Sequence, residues 1–314
     1  MIDTSVVGLS TFYEIYDISQ YEKDIPEQLG TKSKFWYTDE KGNLFLFKSI
    51  SSKNGERIGE DWAEKIASEL AEMIGLPHAY YELATYKGKR GVITPIFFAP
   101  SNGEFLTTGN ELLQTLDDFG YDNQNIQYVD DIYHVMTHMI NGVPINSDGL
   151  CVLKTASEFF VGYLMFDVLI SNQDRHNENW GRIMTKIGSF LAPSYDHGAS
   201  LARNESDETR HLRLYSKDKG QQIVTYVQKA RAQFHSPNTK KRLKLLEAFH
   251  QYGLKEKLAA RIWLDRLYAL KDEQIKMVID KVPSTLMSDI SKQFTYQLVV
   301  CNKANLLSLS NEFL

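Results

Sequence analysis

The first third of the chain alternates short apolar runs with turn-forming residues, which is the pattern of β-strands joined by tight turns. Residues 35–38 and 43–50 predict a hairpin, and residues 79–86 and 90–97 predict a second strand pair. Between the two pairs, residues 61–74 carry apolar side chains at helical spacing, and a glycine and a proline follow as stop signals. This order predicts a small sheet with one helix packed against it.

Beyond residue 110 the apolar positions follow the period of an α-helix. Predicted helices span residues 125–141, 157–170, 240–251, 255–270, 272–281 and 293–314. Turn-forming residues cluster over 98–110, so we expect a lobe boundary there. The sequence therefore predicts an α+β fold with a small β-rich lobe, residues 1–106, and a larger, mostly helical lobe, residues 107–314.

The helix predicted over residues 157–170 is apolar on nearly all sides, which is typical of a central core helix. Thr155 and Glu158 form a capping-box pattern at its start. The segment that follows it, residues 171–181 (SNQDRHNENWG), contains a single apolar side chain, that of Trp180. An ordinary connector needs no such concentration of functional groups, so this loop is a candidate active site on a rigid support.

Phosphoryl transfer requires a carboxylate that orients and deprotonates the acceptor hydroxyl, and oxygen ligands for the Mg²⁺ of the nucleotide. Asp174 suits the first role. Asn179 and Asp196 suit the second, because a hairpin predicted from the strand pattern at 180–184 and the turn at 186–189 brings the two loops together. Their spacing matches the Asp-x-x-x-x-Asn and Asp-Phe-Gly elements of protein kinases.

Lys48 is the candidate cation for the nucleotide phosphates, because it lies in an otherwise apolar predicted strand. Glu64, in the first turn of the next predicted helix, is its candidate ion-pair partner. Two structural alternatives stay open: Lys48 as an edge residue that prevents aggregation, and Glu64 as a helix-capping acid. The polar turn formed by Gly30, Thr31, Lys32, Ser33 and Lys34 is a candidate phosphate cradle or a plain surface loop.

Composition narrows the class of function. The 35 Lys and Arg residues against 40 Asp and Glu give a net charge of −5, so no general attraction to nucleic acid or to an acidic membrane is expected. Cys151 and Cys301 are too few for a disulfide framework or a cysteine zinc site. The amino terminus lacks the basic start of a secretory signal, and no apolar run is long enough to span a bilayer. We therefore expect a cytoplasmic protein, with export as an effector as the alternative.

Residues 172–181 (NQDRHNENWG) resemble the Asn-x-Asp-Arg-His-x-x-Asn signature of the HipA-like serine/threonine kinases, in particular the short HipT- and CtkA-type members. Residues 192–196 (APSYD) are similar to the metal segment of that family. Shorter likenesses around Lys48, Glu64 and Pro77 extend the resemblance over about residues 30–202. The resemblance implies a two-lobed protein-kinase-like fold and an ATP- and Mg²⁺-dependent enzyme that phosphorylates serine or threonine on a protein.

The same resemblance assigns roles to individual residues. It implies Asp174 as the catalytic base, Asn179 and Asp196 as Mg²⁺ ligands, Lys48 as the ATP-phosphate contact, and the backbone of Thr94 to Ile96 as the adenine site. In HipA-like toxins a serine of the glycine-rich loop can be autophosphorylated. Its counterpart here is Ser33, with Thr31 second and Ser49, Ser51 and Ser52 as further candidates.

For partners, the resemblance implies the toxin of a toxin–antitoxin system. Its expected acceptor is a translation-related protein such as an aminoacyl-tRNA synthetase. Its expected partners are an antitoxin and a small accessory protein that supplies the amino-terminal subdomain of longer relatives. Direct binding to nucleic acid or to a membrane is not expected.

Three alternative functions compete with this interpretation. Phosphatidylinositol kinases share the Asp-Arg-His-x-x-Asn and Asp-x-Gly pattern, so a lipid kinase is the first. The second is a metallohydrolase, suggested by His134, His138, His176 and His197, although a zinc-protease helix would need Glu where Val135 stands. The third is an inactive, kinase-like binding module.

Two polar segments outside the candidate site complete the sequence interpretation. Residues 203–222 predict a mobile loop that contributes to acceptor recognition. The basic cluster at residues 240–244 is typical of a solvated helix face, and we assign it no role.

Overall fold

The computed structural model describes residues 11–23, 25–26, 32–52, 55–56, 58–117, 126–145, 147 and 152–314. Its strands are β1 (Ile15–Asp17), β2 (Ile25–Pro26), β3 (Lys32–Thr38), β4 (Leu44–Ser52), β5 (Gly55–Glu56), β6 (Glu82–Tyr86), β7 (Lys89–Pro95), β8 (Phe105–Thr108), β9 (Gly181–Thr185), β10 (Gly188–Leu191), β11 (Arg231–His235) and β12 (Arg242–Lys244). Its α-helices are α1 (Glu60–Met73), α2 (Gly109–Asp117), α3 (Val129–His138), α4 (Ala156–Leu169), α5 (Asp207–Tyr215), α6 (Ile223–Val227), α7 (Leu245–Gly253), α8 (Lys257–Ala269), α9 (Asp272–Asp280) and α10 (Asp289–Leu307). Short 3₁₀ helices occupy Pro100–Asn102 and Ser310–Phe313.

The strands of the first lobe form one sheet in the order β1-β6-β7-β4-β3-β2, and β5 pairs with β4. Both predicted strand pairs are confirmed, because β3 and β4 are antiparallel, as are β6 and β7. The aromatic rings of Phe35, Phe47 and Tyr86 pack together as an apolar cluster on this sheet. Helix α1 packs against β4, β6 and β7, which is the arrangement that the order of elements predicts.

Helix α1 ties this sheet to the helical lobe. Its Ala63, Ile66 and Leu70 are fully buried and belong to the same apolar cluster as residues of α4 and α8. The helix begins after Gly59, whose φ of 85° favours glycine. A Cβ at Gly59 would also lie 2.7 Å from the Trp62 ring. Because the two lobes share one core, the position of α1 against the second lobe is fixed.

Helix α4 is the centre of the second lobe. The predicted capping box is confirmed: Thr155 Oγ1 accepts from the Glu158 N–H at 3.2 Å, and the Thr155 N–H donates to Glu158 Oε2 at 2.8 Å. Every residue of α4 except Glu158 is buried, and the helix packs against α3, α7, α8 and α10. The chain that leaves its carboxyl end therefore starts from a fixed position.

The hairpin predicted after the polar loop is confirmed as β9 and β10. Strand β8 joins it by pairing with β9, so Phe105–Thr108 belongs to a sheet that continues into the second lobe. The division at residues 106 and 107 stays a prediction. Among the helices described, none combines the length and apolar character needed to cross a bilayer.

Two predictions in the second lobe are wrong. Residues 203–222, expected to be a mobile loop, contain α5, which Ser206 caps by accepting from the Thr209 N–H at 3.2 Å. The helix expected over residues 240–251 begins only at Leu245, because the three residues before it form β12. The buried Leu243 between two basic residues is a strand pattern that the run of charges concealed.

The predicted phosphate turn differs from the structure as well. Residues 32–34 are the first part of β3, because β4 extends as far as Ser52 and pairs with this part of the chain. Gly30 and Thr31 lie outside the described residues, as do the side chains of Lys32 and Ser33.

Candidate active site

The polar loop begins where α4 ends, and bonds within the loop fix its backbone. Asn179 Nδ2 donates to Asp174 O at 2.7 Å, and the Asn179 N–H donates to His176 O at 2.9 Å. The five-residue step between Asp174 and Asn179 therefore closes a turn. The Asp174 side chain is 40% exposed, whereas Asn179 is buried. Asp174 is accordingly open to a substrate hydroxyl, and Asn179 holds the loop.

A buried ion pair lies beneath this loop. Arg175 donates to Asp167 through Nε and Nη2, both at 2.7 Å, and each side chain is 2% exposed. Arg175 also donates to Asn179 O at 3.0 Å and to Ser194 Oγ at 2.9 Å. Burial alone would lower the pKa of Arg175, but Asp167 raises it, so the guanidinium stays charged. One side chain thus links α4, the loop and the segment after β10.

Asp167 was not among the site residues predicted from the sequence. The signal that could have found it is a carboxylate within an otherwise apolar helix, because a buried charge needs a partner. Asn172 Nδ2 also donates to Asp167 Oδ1 at 2.8 Å, and Asn172 Oδ1 accepts from the Asp174 N–H at 3.1 Å. Asp167 therefore supports the loop on both sides of Asp174.

Lys48, Glu64 and Asp196 form a second charged cluster, which we call the lysine cluster. Lys48 Nζ donates to Glu64 Oε1 at 2.7 Å and to Asp196 Oδ1 at 2.9 Å. Burial alone would lower the pKa of Lys48, but Asp196 and Glu64 raise it well above its ordinary value. The predicted pairing of Lys48 with Glu64 is present. Lys48 is not an edge residue, because β4 lies between β3 and β7.

Helix α1 shapes the backbone at Asp196. Asp196 has a φ of 57°, a left-handed conformation that Asp adopts more readily than most residues. The His197 N–H donates to Glu64 Oε2 at 2.8 Å. A Cβ on Gly198 would lie 2.5 Å from Glu60 Cγ, so the close approach of α1 requires glycine there. The Asp-x-Gly pattern therefore has a local cause, since it lets the chain turn tightly against α1.

The oxygen donors of these two loops suit a hard divalent cation. The Asn179 amide is oriented by the bond from Nδ2 to Asp174 O, which directs Oδ1 away from that carbonyl. Asn179 Oδ1 and the Asp196 carboxylate are oxygen ligands of the kind that Mg²⁺ prefers. Because Mg²⁺ keeps several waters and takes phosphate oxygens, one or two protein ligands suffice.

The other predicted contacts of the nucleotide that the structure describes lie on β3, on β7 and directly after β7. Thr94 is buried near the end of β7, and Ile96 follows that strand. The Ile96 N–H donates to Leu44 O at 3.1 Å, so it belongs to the sheet. Lys34 lies opposite Lys48 in the register of β3 and β4. The adenine contact stays a prediction.

Three of the four histidines named in the metallohydrolase hypothesis have local contacts that account for them. His134 and His138 are exposed on α3 and stack with ring centroids 4.3 Å apart. His197 is fully buried, its Nε2 lies 2.7 Å from Ser194 Oγ, and burial lowers its pKa well below the ordinary value. Within the described ranges no three His, Cys, Asp or Glu side chains are placed to hold a metal ion. The metallohydrolase interpretation therefore gains no support from them.

Known proteins are similar to this chain in sequence and in fold. The model of the family described as the HipA-like C-terminal domain matches residues 27–271. The chain is 24% identical over 289 residues to the serine/threonine-protein kinase CtkA of Helicobacter pylori (strain J99), a match that covers 90% of this chain and 82% of CtkA.

Two solved structures are similar to this one. The crystal structure of the Helicobacter pylori proinflammatory kinase CtkA matches with a TM-score of 0.75 at 19% identity, covering 95% of this chain and 98% of CtkA. HipA of Shewanella oneidensis MR-1, solved with HipB and operator DNA, matches with a TM-score of 0.55 at 12% identity, covering 95% of this chain and 69% of HipA. The predicted two-lobed, kinase-like α+β fold is confirmed.

Proposed function

The chain belongs to the HipA-like C-terminal domain family, and from that premise we propose that it is an ATP- and Mg²⁺-dependent serine/threonine protein kinase. The observation that carries the proposal is the lysine cluster, in which one buried ammonium group bonds two carboxylates from different lobes. A lysine fixed in this way is the phosphate contact of kinase sites. The likeness to CtkA over most of both chains supports the same activity.

In the proposed reaction Asp174 accepts the proton of the acceptor hydroxyl as that oxygen bonds the terminal phosphorus of ATP, and ADP leaves. Lys48 neutralises charge on the nucleotide phosphates, and Glu64 directs it. Asn179 Oδ1 and the Asp196 carboxylate would hold the metal ion. Bound Mg²⁺ supplies charge neutralisation at the phosphate oxygens.

The wider role rests on the relatives. The Shewanella HipA was solved as part of a toxin–antitoxin system. For this chain we accordingly propose an antitoxin partner, and a translation-related acceptor such as an aminoacyl-tRNA synthetase. Adenine binding at Thr94 to Ile96 and autophosphorylation at Ser33 belong to the same proposal. CtkA is a proinflammatory kinase, and this supports an exported effector kinase as the second candidate.

Asp174→Asn tests the proposed activity. We expect transfer from γ-labelled ATP to lysate proteins to fall about 100-fold or more, because general-base catalysis contributes roughly 10²–10⁴-fold. Nucleotide binding should be retained, because Asp174 does not belong to the lysine cluster. Glu178→Gln is the matched control, since it makes the same charge change on an exposed residue of the same loop.

Undiminished transfer by Asp174→Asn would remove this residue from its proposed role. If the wild-type enzyme labels phosphoinositide vesicles and no protein, the proposed activity is wrong and the enzyme is a lipid kinase.

A further inference from the structure

Residues 229–244 are strongly basic and have no part in the site described above. They contain six cationic residues, Lys229, Arg231, Lys240, Lys241, Arg242 and Lys244, and no Asp or Glu, in a chain whose net charge is −5. The salt bridges found among the described residues involve none of these six. This stretch is therefore a concentration of positive charge that forms no salt bridge within the part of the chain that the structure describes.

The structure folds this stretch into the antiparallel hairpin of β11 and β12. Ala232, Phe234 and Leu243 are buried, so one side of the hairpin faces the core. Side chains alternate along a strand, which puts the remaining residues on the opposite side. We call this side the outward face; it consists of Arg231, Gln233, His235, Arg242 and Lys244.

The outward face is bonded to the residue that precedes the proposed catalytic base. The Arg231 N–H donates to Gln173 Oε1 at 3.0 Å. Gln233 Nε2 and Arg242 Nη2 both donate to Gln173 O, at 2.8 Å and 3.2 Å. Gln173 O belongs to the peptide group that leads into Asp174, so the hairpin lies directly beside the acceptor position.

The cations of the outward face differ in how far their side chains are exposed. Arg242 donates to Ala232 O at 2.7 Å and to Arg231 O at 3.1 Å, so it is a fixed part of the hairpin. Burial lowers the pKa of Arg242, and Asp174 counteracts part of that effect, which agrees with the closeness of the two groups. Arg231 and Lys244 lie opposite each other in the register and are exposed. Arg231 Nη1 donates to Arg242 O at 2.6 Å, which directs the guanidinium along the hairpin, and its exposed part and the exposed Lys244 side chain are available to a partner.

We propose that the outward face of this hairpin binds an acidic segment of the acceptor protein, so that the enzyme selects serine or threonine with Asp or Glu within about three residues. The proposal rests on the proposed kinase function and deepens it. The acceptor hydroxyl must reach Asp174, and an extended chain advances only about 3.3 Å per residue, so its neighbouring residues pass the hairpin. Unpaired cations there attract acidic side chains and repel basic ones.

A peptide fits this surface better than nucleic acid does. Nucleic-acid binding draws on several phosphate contacts spread along a backbone, whereas the exposed charge here is confined to one short hairpin. The hydrogen bonds from the hairpin to Gln173 also place the outward face beside the position that the acceptor chain must occupy.

Three peptides of about 15 residues, each with one serine, test the proposal. They differ only in the three residues on each side of the serine, which are all Glu in the first peptide, all Gln in the second and all Lys in the third. For the wild-type enzyme we expect kcat/KM to be about tenfold higher for the Glu peptide than for the Gln peptide, and lowest for the Lys peptide. The Arg231→Glu/Lys244→Glu variant should reverse this order. A folding defect lowers all three values together and cannot reverse their order.

The matched control is Lys89→Glu/Lys186→Glu, which makes the same charge change on exposed residues of two other hairpins. It should keep the wild-type order. Equal use of the Glu and Gln peptides by the wild type, or an unchanged order in Arg231→Glu/Lys244→Glu, would overturn the proposal. A labelled oligonucleotide that binds the wild type and not the variant, with no peptide preference, would overturn it in favour of nucleic acid.

Failure of the proposed kinase function can be distinguished from failure of the hairpin proposal. Wild-type enzyme that transfers phosphate to none of the peptides and to no lysate protein contradicts the proposed activity. Binding of the same peptides, labelled with fluorescein and measured by anisotropy, then decides the hairpin proposal by the same order of preference.

Discussion

Two buried clusters of charge support the candidate site, and they are built differently. In the ion pair of Asp167 and Arg175 both side chains are 2% exposed, and the remaining guanidinium bonds end on Asn179 and Ser194. In the lysine cluster, by contrast, Asp196 is 25% exposed and lies in a left-handed turn of the backbone. The first cluster is closed to solvent, whereas the second is buried at Glu64 and exposed to solvent at Asp196.

This difference in exposure distinguishes a charge pair that stabilises the fold from a charge cluster that a ligand can reach. Removing one partner of a closed pair leaves an uncompensated charge in apolar surroundings. Removing Lys48 from the open cluster lets water reach the Asp196 carboxylate, whereas the fully buried Glu64 still accepts from the His197 N–H. We therefore expect the Asp167–Arg175 pair to govern stability and the lysine cluster to govern activity.

The largest effect on stability is expected from Arg175→Met. It leaves Asp167 buried without its partner, so the free energy of unfolding in urea should fall by about 3–5 kcal/mol. The double variant Asp167→Leu/Arg175→Met should recover most of that loss, because a buried pair replaced by apolar side chains is often close to neutral. A double variant no more stable than the single one would show that the bonds to Asn179 and Ser194, rather than charge, dominate.

Lys48→Met should have a smaller effect on stability and a large one on transfer. Glu64 keeps its bond from the His197 N–H and Asp196 gains water, so we expect a loss of about 1–3 kcal/mol. Phosphate transfer should fall about 100-fold or more, because a charge aimed at the nucleotide phosphates is lost. Stability is measured by urea unfolding, and phosphate transfer is measured with γ-labelled ATP, on the same preparation. A stability loss equal to that of Arg175→Met would remove the distinction between the two clusters.

Gly198→Ala tests the packing behind the open cluster. The new methyl group would lie 2.5 Å from Glu60 Cγ and 3.2 Å from Glu64 Oε1, so these side chains or α1 itself must move. We expect a loss of about 1–2 kcal/mol and a higher KM for ATP, because Glu64 no longer directs Lys48. Gly220→Ala, in an exposed turn, is the control. An unchanged KM would show that the contact with α1 is irrelevant to the lysine.

The smallest effect is a pH dependence beside the closed pair. His78 forms a β-bridge with Ser194, and burial lowers its pKa below the ordinary value. In the unfolded chain, where the histidine pKa is near 6.5, His78 binds a proton at a pH at which it stays neutral in the folded protein. The free energy of unfolding should therefore fall as the pH drops below about 6.5, by at most about 1.4 kcal/mol per pH unit for this group.

His78→Gln is expected to reduce that slope without removing it, because His197 contributes in the same direction. Unfolding curves at several pH values measure it. Equal slopes in the two proteins would assign the titration to other groups.

Local sequence patterns were sufficient for much of this fold. The β3–β4 and β9–β10 hairpins, α1 and α4 all have a clear apolar period or cap, and the structure contains each of them. The pairing of Lys48 with Glu64 was also predictable, because a cation in an apolar strand requires a nearby anion.

The rest depends on information that local patterns do not carry. Helix α5 buries only Arg210, so it has no apolar period to detect. The bonds between Gln173 and the β11–β12 hairpin join residues 58 to 69 positions apart, and the sequence gives no sign of them. Asp167 was predictable as a buried acid, but its partner could only be identified once α4 and the loop were placed together.

The burial of every α4 residue except Glu158 constrains how this protein can diverge. Each residue inserted into the helix would turn everything beyond it by about 100° around the axis. A single insertion before Asp167 would carry its carboxylate out of reach of Arg175 and point it into the core. Homologues can therefore vary the size of side chains along α4 while its number of residues stays constant, and length changes should accumulate in the connecting loops instead.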